Sequence, residues 1–163
     1  MLFRAYLIVT LAALSIGQKS VFADERLANI PSTAEWFDID RITDGDTIVL
    51  RGGARVRLHG IDTPERNQPY GAEATRELRK IIGKGVYVEA TDTDRYGRTV
   101  AVLWTRDGVN VNLEMVCRGA AWWYQRYARG DADLRECQAL ARENDLGLWE
   151  GEEPTPPWEW RRK

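Results

Sequence analysis

Asp46-Thr47-Ile48-Val49-Leu50-Arg51-Gly52-Gly53-Ala54-Arg55-Val56-Arg57-Leu58-His59-Gly60-Ile61 is two runs rich in aliphatic residues separated by a glycine pair. Such a pattern predicts two antiparallel strands joined by a tight turn. If Gly52-Gly53 form the whole loop, Arg51 faces Ala54, Ile48 faces Arg57 and Asp46 faces His59. One face then carries Thr47, Val49, Val56 and Leu58, the expected core side. The other carries Asp46, Ile48, Arg57 and His59, with Asp46 and Arg57 diagonal neighbours within about 7–8 Å. Asp62, five residues beyond Arg57, would turn toward the core in a regular strand. A bulge or sharp bend at Gly60 or its neighbours would return it to the side of Asp46, leaving Val56 and Leu58 in the core.

Working outward, strands are predicted at 36–43, 46–51, 54–61, 85–91 and 99–105, with a further turn at Asp107-Gly108. Between the third and fourth lies a helix over 71–82, where Ala74, Leu78, Ile81 and Ile82 recur at helical spacing before Gly83. Helices follow at 110–118 and 131–144, the latter with Leu134, Cys137, Leu140 and Ala141 as its buried stripe. Five short strands, an inserted helix and a helical C-terminal half predict an α+β fold: a small five-stranded Greek-key β-barrel with three packed α-helices. There are no internal repeats.

The 163 residues allow one domain with a real core. Residues 1–23 are expected to be an export signal. Arg4 precedes the apolar run Ala5–Leu14, and Val21-Phe22-Ala23 supplies a peptidase site before Asp24. Retention of this segment as an anchor is the alternative. Residues 24–34 read as a linker, 35–149 as the domain, and 150–163 as an extended tail holding Pro154, Pro156 and Pro157 before Trp158 and Trp160.

The full chain has a formal net charge of −2, and loss of Arg4 and Lys19 with the signal makes it −4. Bulk attraction to nucleic acid is thereby excluded, so any such binding must use local arginines and a metal. Arg161-Arg162-Lys163 is expected to be a solvated tail. Cys117 and Cys137 are the only cysteines. In an exported chain they are expected to form a disulfide contributing about 3 kcal/mol by the chain-entropy model. Two buried thiols are the alternative. The lone histidine, His59, excludes chemistry that needs partnered imidazoles, and no phosphate-cradling glycine loop is present.

Three segments concentrate the chemistry: Asp44-Gly45-Asp46-Thr47, Arg57 through Asp62-Thr63-Pro64-Glu65, and Asp94-Arg95-Tyr96-Gly97-Arg98. They offer hard oxygen ligands, a carboxylate able to activate water, and guanidinium groups suited to phosphate. DGDTI (44–48), RLHGIDTPE (57–65) and DRYGR (94–98) resemble the staphylococcal-nuclease-like (thermonuclease) family in order and approximate spacing, over residues 38–149. The resemblance implies the oligonucleotide-binding (OB) fold and a Ca²⁺ ion held by Asp46, Asp62 and the Thr63 carbonyl, with Asp44 bracing them. It implies Glu65 as general base, Arg57 and Arg98 as clamps on the scissile phosphate, and Tyr96 near a 5′-phosphate. Tyr124 lies among Trp122, Trp123 and Tyr127, where nucleobase stacking and core packing are both open. Arg95 is expected to be a solvated loop charge.

The expected activity, by resemblance, is cleavage of DNA and RNA with little sequence preference, leaving 3′-phosphates, by an exported (secreted or periplasmic) monomer. The alternatives are a non-catalytic nucleic-acid-binding module and an oligosaccharide-binding barrel at the cell envelope.

Overall fold

A computed structural model describes residues 29–151 and 154–163. The expected export signal, 1–23, lies outside the described residues, as does the first part of the expected linker, 24–28. Five strands close a barrel: β1 (Glu35–Asp44), β2 (Thr47–Leu50), β3 (Arg55–Leu58), β5 (Gly85–Thr93) and β6 (Thr99–Trp104), in the ring order β1-β2-β3-β6-β5. Two short strands, β4 (Ile61–Asp62) and β7 (Trp122–Trp123), pair with each other outside it.

The long strand β1 pairs with β5 at its start, Trp36 opposite Tyr87, and with β2 at its end, Asp44 opposite Thr47. Register shifts between Ile39 and Arg41 and between Ile42 and Asp44 let one strand serve both neighbours, since each irregularity adds bend and twist. Closure comes from β3 and β6, which run parallel with Val56 opposite Thr99.

The β2–β3 register differs by one residue from that expected. Leu50 N–H donates to the Ala54 carbonyl and Gly53 N–H to the Leu50 carbonyl, so Arg51-Gly52-Gly53 is a three-residue loop with both glycines at positive φ. Thr47 therefore faces Arg57, Ile48 faces Val56, and the Asp46 carbonyl accepts from Leu58 N–H. Ile48 and Leu50, rather than Thr47 and Val49, join Val56 and Leu58 in the central core. The expected third strand is also shorter. It stops at Leu58; His59 and Gly60 form a turn, Gly60 takes φ 74°, and β4 leaves toward β7. This is the sharp bend anticipated between Arg57 and Asp62.

Helix α1 (Gly71–Ile81) buries Ala74 and Leu78 against the barrel. Helix α2 (Val111–Cys117) begins at Asn110, whose side chain accepts from Leu113 N–H, and α3 (Ala132–Glu143) at Asp131, which accepts from Leu134 N–H. Each cap contributes about 1 kcal/mol. Leu134 and Ala141 form the buried edge of α3 with the half-buried Cys137, whereas Leu140, at the margin of that stripe, is exposed. The Cys117–Cys137 disulfide joins the end of α2 to α3, with Cα atoms 4.5 Å apart.

Buried Asn112 pins the barrel end. Its amide donates to the carbonyls of His59 and Ala101, and its oxygen accepts from Leu103 N–H. The tail is not simply extended: a 3₁₀ turn (Gly147–Trp149) is followed, past Pro156, by a short helix α4 (Pro157–Trp160). Trp158 packs edge-on against Trp122, so apolar burial rather than solvation fixes the tail.

A β-carbon at Gly60 would lie 2.9 Å from Ala128 Cβ and 3.0 Å from Leu134 Cδ1. Gly60→Val therefore combines a left-handed backbone with a core clash. It is expected to lower stability by at least about 2 kcal/mol in urea unfolding, and not to act on ligand binding alone. Unfolding at the parent midpoint would refute this.

Candidate functional site

Three charged side chains from the segment 46–62 converge where β2, β3 and β4 meet. The Arg57 guanidinium lies between two carboxylates, with Nη1 3.0 Å from Asp46 Oδ2 and Nη2 2.9 Å from Asp62 Oδ1. Side-chain exposures are 15% for Arg57, 9% for Asp46 and 1% for Asp62, so these pairs are largely withdrawn from solvent. Removing one partner from such a group costs about 3–5 kcal/mol, because the remaining charge is left uncompensated.

Backbone geometry explains the convergence. Asp46 comes just before β2, and the bend at Gly60 swings Asp62 back toward it. Thr63 then ties the two segments together, its N–H and Oγ1 donating to Asp46 Oδ2 at 3.0 and 3.1 Å. Thr47 Oγ1 donates to Asp46 Oδ1 at 3.1 Å. Gly45 permits the approach: a β-carbon there would sit 2.8 Å from Thr63 Oγ1. Asp44 Oδ1 accepts from Asp46 N–H at 3.2 Å.

Charge crowding is visible in the acids. Burial, and then the neighbouring Asp46 charge, push Asp44 from its ordinary 3.8 up to about 7. Burial also pushes Asp62 up, against the pull of Arg161 and Arg57 and with that of Asp46. A cluster of buried acids raised in this way gains from a nearby positive charge. Among the described residues no three His, Cys, Asp or Glu side chains form a metal cage. Asp46 and Asp62 are nevertheless hard oxygen donors. They suit a hard divalent cation whose remaining ligands are carbonyl and water oxygens.

Glu65 follows the buried Pro64 and is partly exposed; its N–H donates to Gln68 Oε1 at 3.0 Å, fixing the loop. Arg98 stands just before β6. Its Nε donates to Asp94 Oδ2 at 2.7 Å, and its guanidinium lies 5.6 Å from the Tyr96 ring centroid. Its partners are thus Asp94 and Tyr96, not the carboxylates gathered around Arg57. Tyr96 is 67% exposed, and Arg95 donates to its hydroxyl on the same surface loop. His59 is held through its backbone, its N–H donating to the Ala101 carbonyl and its carbonyl accepting from Asn112 Nδ2.

The aromatic segment divides. Trp122 and Trp123 are buried, whereas Tyr127 is exposed and Tyr124 lies between these extremes, with Trp158 stacked parallel on it at 5.1 Å. Sequence reasoning missed Arg161, which reaches Asp62 and Glu65 from the tail, and Gln68, whose Nε2 donates to the Thr155 carbonyl at 2.6 Å. No local period marks this fold-back, since Trp158 and Trp160 stand two residues apart and so on different sides of a helix.

Comparison with known proteins places the chain among nucleases. The family model described as Staphylococcal nuclease homologue matches residues 55–151. An uncharacterized endonuclease of Escherichia coli O157:H7 is 42% identical over 127 residues, covering 76% of this chain and 82% of its own. The micrococcal nuclease of Shigella flexneri is 37% identical over 150 residues, covering 83% and 86%. A staphylococcal-like nuclease of Arabidopsis thaliana is 42% identical over 115 residues, covering 70% of this chain and 35% of its own.

The raised acid sets a test of the site's electrostatics. Ionised Asp44 opposes folding above about pH 7; the opposition fades as pH falls through 7 and is gone below its unfolded value of 3.8. Asp44→Asn is expected to raise the melting temperature in chelator by about 4 °C or more near pH 8, and to leave it unchanged at the acid end of the range. An equal shift at both ends would sink the assignment.

Proposed function

Because the chain belongs to the staphylococcal nuclease family and is a phosphodiester hydrolase acting on nucleic acid, we propose that it is an exported, Ca²⁺-dependent nuclease. In this reading it cleaves both DNA and RNA with little sequence preference and leaves 3′-phosphates. The observation that carries the reading is the convergence of Asp46, Arg57 and Asp62 beside Glu65, in a chain of that family.

Asp46, Asp62 and the Thr63 carbonyl would hold the cation, with Asp44 supporting Asp46 through its backbone N–H. When bound, the cation supplies Lewis-acid polarisation of the phosphate and a lowered pKa for nearby water. Arg57 and Arg98 bind phosphate oxygens with their planar forks and offset the charge that accumulates at phosphorus. Glu65 takes the proton of the attacking water. The water oxygen forms a bond to phosphorus in line with the 5′-oxygen, the bond from phosphorus to that oxygen breaks, and the departing alkoxide is protonated. Tyr96 and Tyr124 offer ring surfaces to the substrate, Tyr124 only if Trp158 leaves it.

Export is supported by the apolar segment before Asp24 and by the Cys117–Cys137 disulfide, which suits an oxidising compartment. We take the working form to be a monomer.

The decisive experiment is single-turnover cleavage of a labelled DNA strand by the mature chain. Excess chelator is expected to abolish cleavage and added Ca²⁺ to restore it. Arg98→Ala is expected to lower the rate at least about a hundredfold while preserving the fold, since among the described residues its only side-chain ion pair is the i,i+4 contact with Asp94. Chelator-resistant cleavage, or an Arg98→Ala rate close to that of the parent, would refute the mechanism.

A further inference from the structure

The C-terminal segment runs along the loop that follows Pro64 and engages the site at two points. Arg161 donates from Nη2 to Asp62 Oδ2 at 2.7 Å, and from Nη1 to Asp62 Oδ1 at 3.3 Å and Glu65 Oε1 at 2.6 Å. Three residues earlier, Trp158 lies flat on Tyr124, ring centroids 5.1 Å apart and planes parallel. The segment is anchored beside these contacts by Gln68 Nε2 donating to the Thr155 carbonyl and Trp160 Nε1 donating to Asn67 Oδ1.

Both oxygens of Asp62 are therefore committed to guanidinium groups, Oδ1 to Arg57 and Arg161 and Oδ2 to Arg161. Asp62 has 1% side-chain exposure, whereas Arg161 has 42%, so Arg161 forms the solvent side of the pair. A divalent cation approaching Asp62 from solvent meets a positive charge already bonded to the carboxylate it requires. Arg161 and the cation repel each other, and the same lone pairs cannot serve both. Likewise, a nucleobase stacking on the face of Tyr124 that Trp158 covers must displace an aromatic ring already there.

We propose that residues 155–163 form a built-in competitor for the site. Arg161 occupies the cation-facing side of Asp62 and Glu65, Trp158 covers Tyr124, and loading with a divalent cation and a nucleic-acid strand releases both. The proposal rests on the reading of Asp62 as a cation ligand. Its contacts suit displacement: a helix of only four residues, a half-exposed guanidinium and one ring stack. Arg161 engages two acids at once, so a singly substituted segment loses both links together.

The test is calorimetric titration of CaCl₂ into the parent, Arg161→Gln and Asp62→Asn proteins, each full-length from the mature N-terminus. Arg161→Gln is expected to bind Ca²⁺ at least about fivefold more tightly than the parent, and Asp62→Asn to lose binding. Hydrogen exchange gives a second readout. The amides of Trp160 and Arg161, held by the Pro156 and Pro157 carbonyls, should exchange faster when Ca²⁺ and a single-stranded oligonucleotide are added to the parent. Equal or weaker affinity in Arg161→Gln, with binding still lost in Asp62→Asn, would overturn the competitor and leave the cation site standing. Undiminished binding in Asp62→Asn would overturn both.

Discussion

One guanidinium organises the centre of this molecule. Arg57 projects from β3 between Asp46 and Asp62, and its two terminal nitrogens make the crowding of buried acids tolerable. Two carboxylates this deeply buried would otherwise repel each other and lose hydration with little return. The bend at Gly60, the close approach of Gly45 to Thr63 and the short β4–β7 pair all bring Asp62 into the reach of that fork. Core and chemistry meet on the same strand, because Val56 and Leu58 flank Arg57 and face the barrel interior.

A site held in this way is stiff on one side and adjustable on the other. Asp46 receives hydrogen bonds from Thr47 and from both donors of Thr63 and is ion-paired with Arg57, so its orientation is strongly specified. Glu65 is different: its side chain stands at the surface, its backbone is held by Gln68, and its charged partner comes from the far end of the chain. Arg98 sits on a separate loop with Asp94 as its own counter-ion. Phosphate recognition by the two arginines would thus join a fixed guanidinium in the barrel wall to a more exposed one beside Tyr96.

Much of this was legible in the residues. Alternation and glycine placement located the five barrel strands, and helical spacing located α1, α2 and α3 to within a few positions. The parity argument from Arg57 to Asp62 required a bend, and Gly60 was where a positive φ would cost least. The Arg57–Asp46 pair forms even though Thr47, rather than the expected Ile48, stands opposite Arg57. The register itself was not legible: a glycine pair permits two-residue and three-residue loops alike, and only the pairing of Leu50 with Ala54 decides between them. Nor was the tail. Prolines and terminal charges suggested an extended, hydrated segment, but Trp158 finds a surface built from Trp122 and Tyr124, which belong to a distant part of the sequence. Tertiary burial of that kind leaves no local period to read.

The way the barrel closes also bears on how the chain reaches this state. Its sealing pairs are remote in sequence, Glu35 with Val88 on one side and Val56 with Thr99 on the other. Such contacts return energy only after much chain entropy has been spent, which slows folding relative to a helical bundle of the same size. Asp46, Arg57 and Asp62 lie within one short stretch and can meet early, but Arg98 takes its station only once β6 has docked beside β3. The acid cluster thus needs only local loop closure, whereas the placing of Arg98 beside it waits on the remote pairing of β3 with β6.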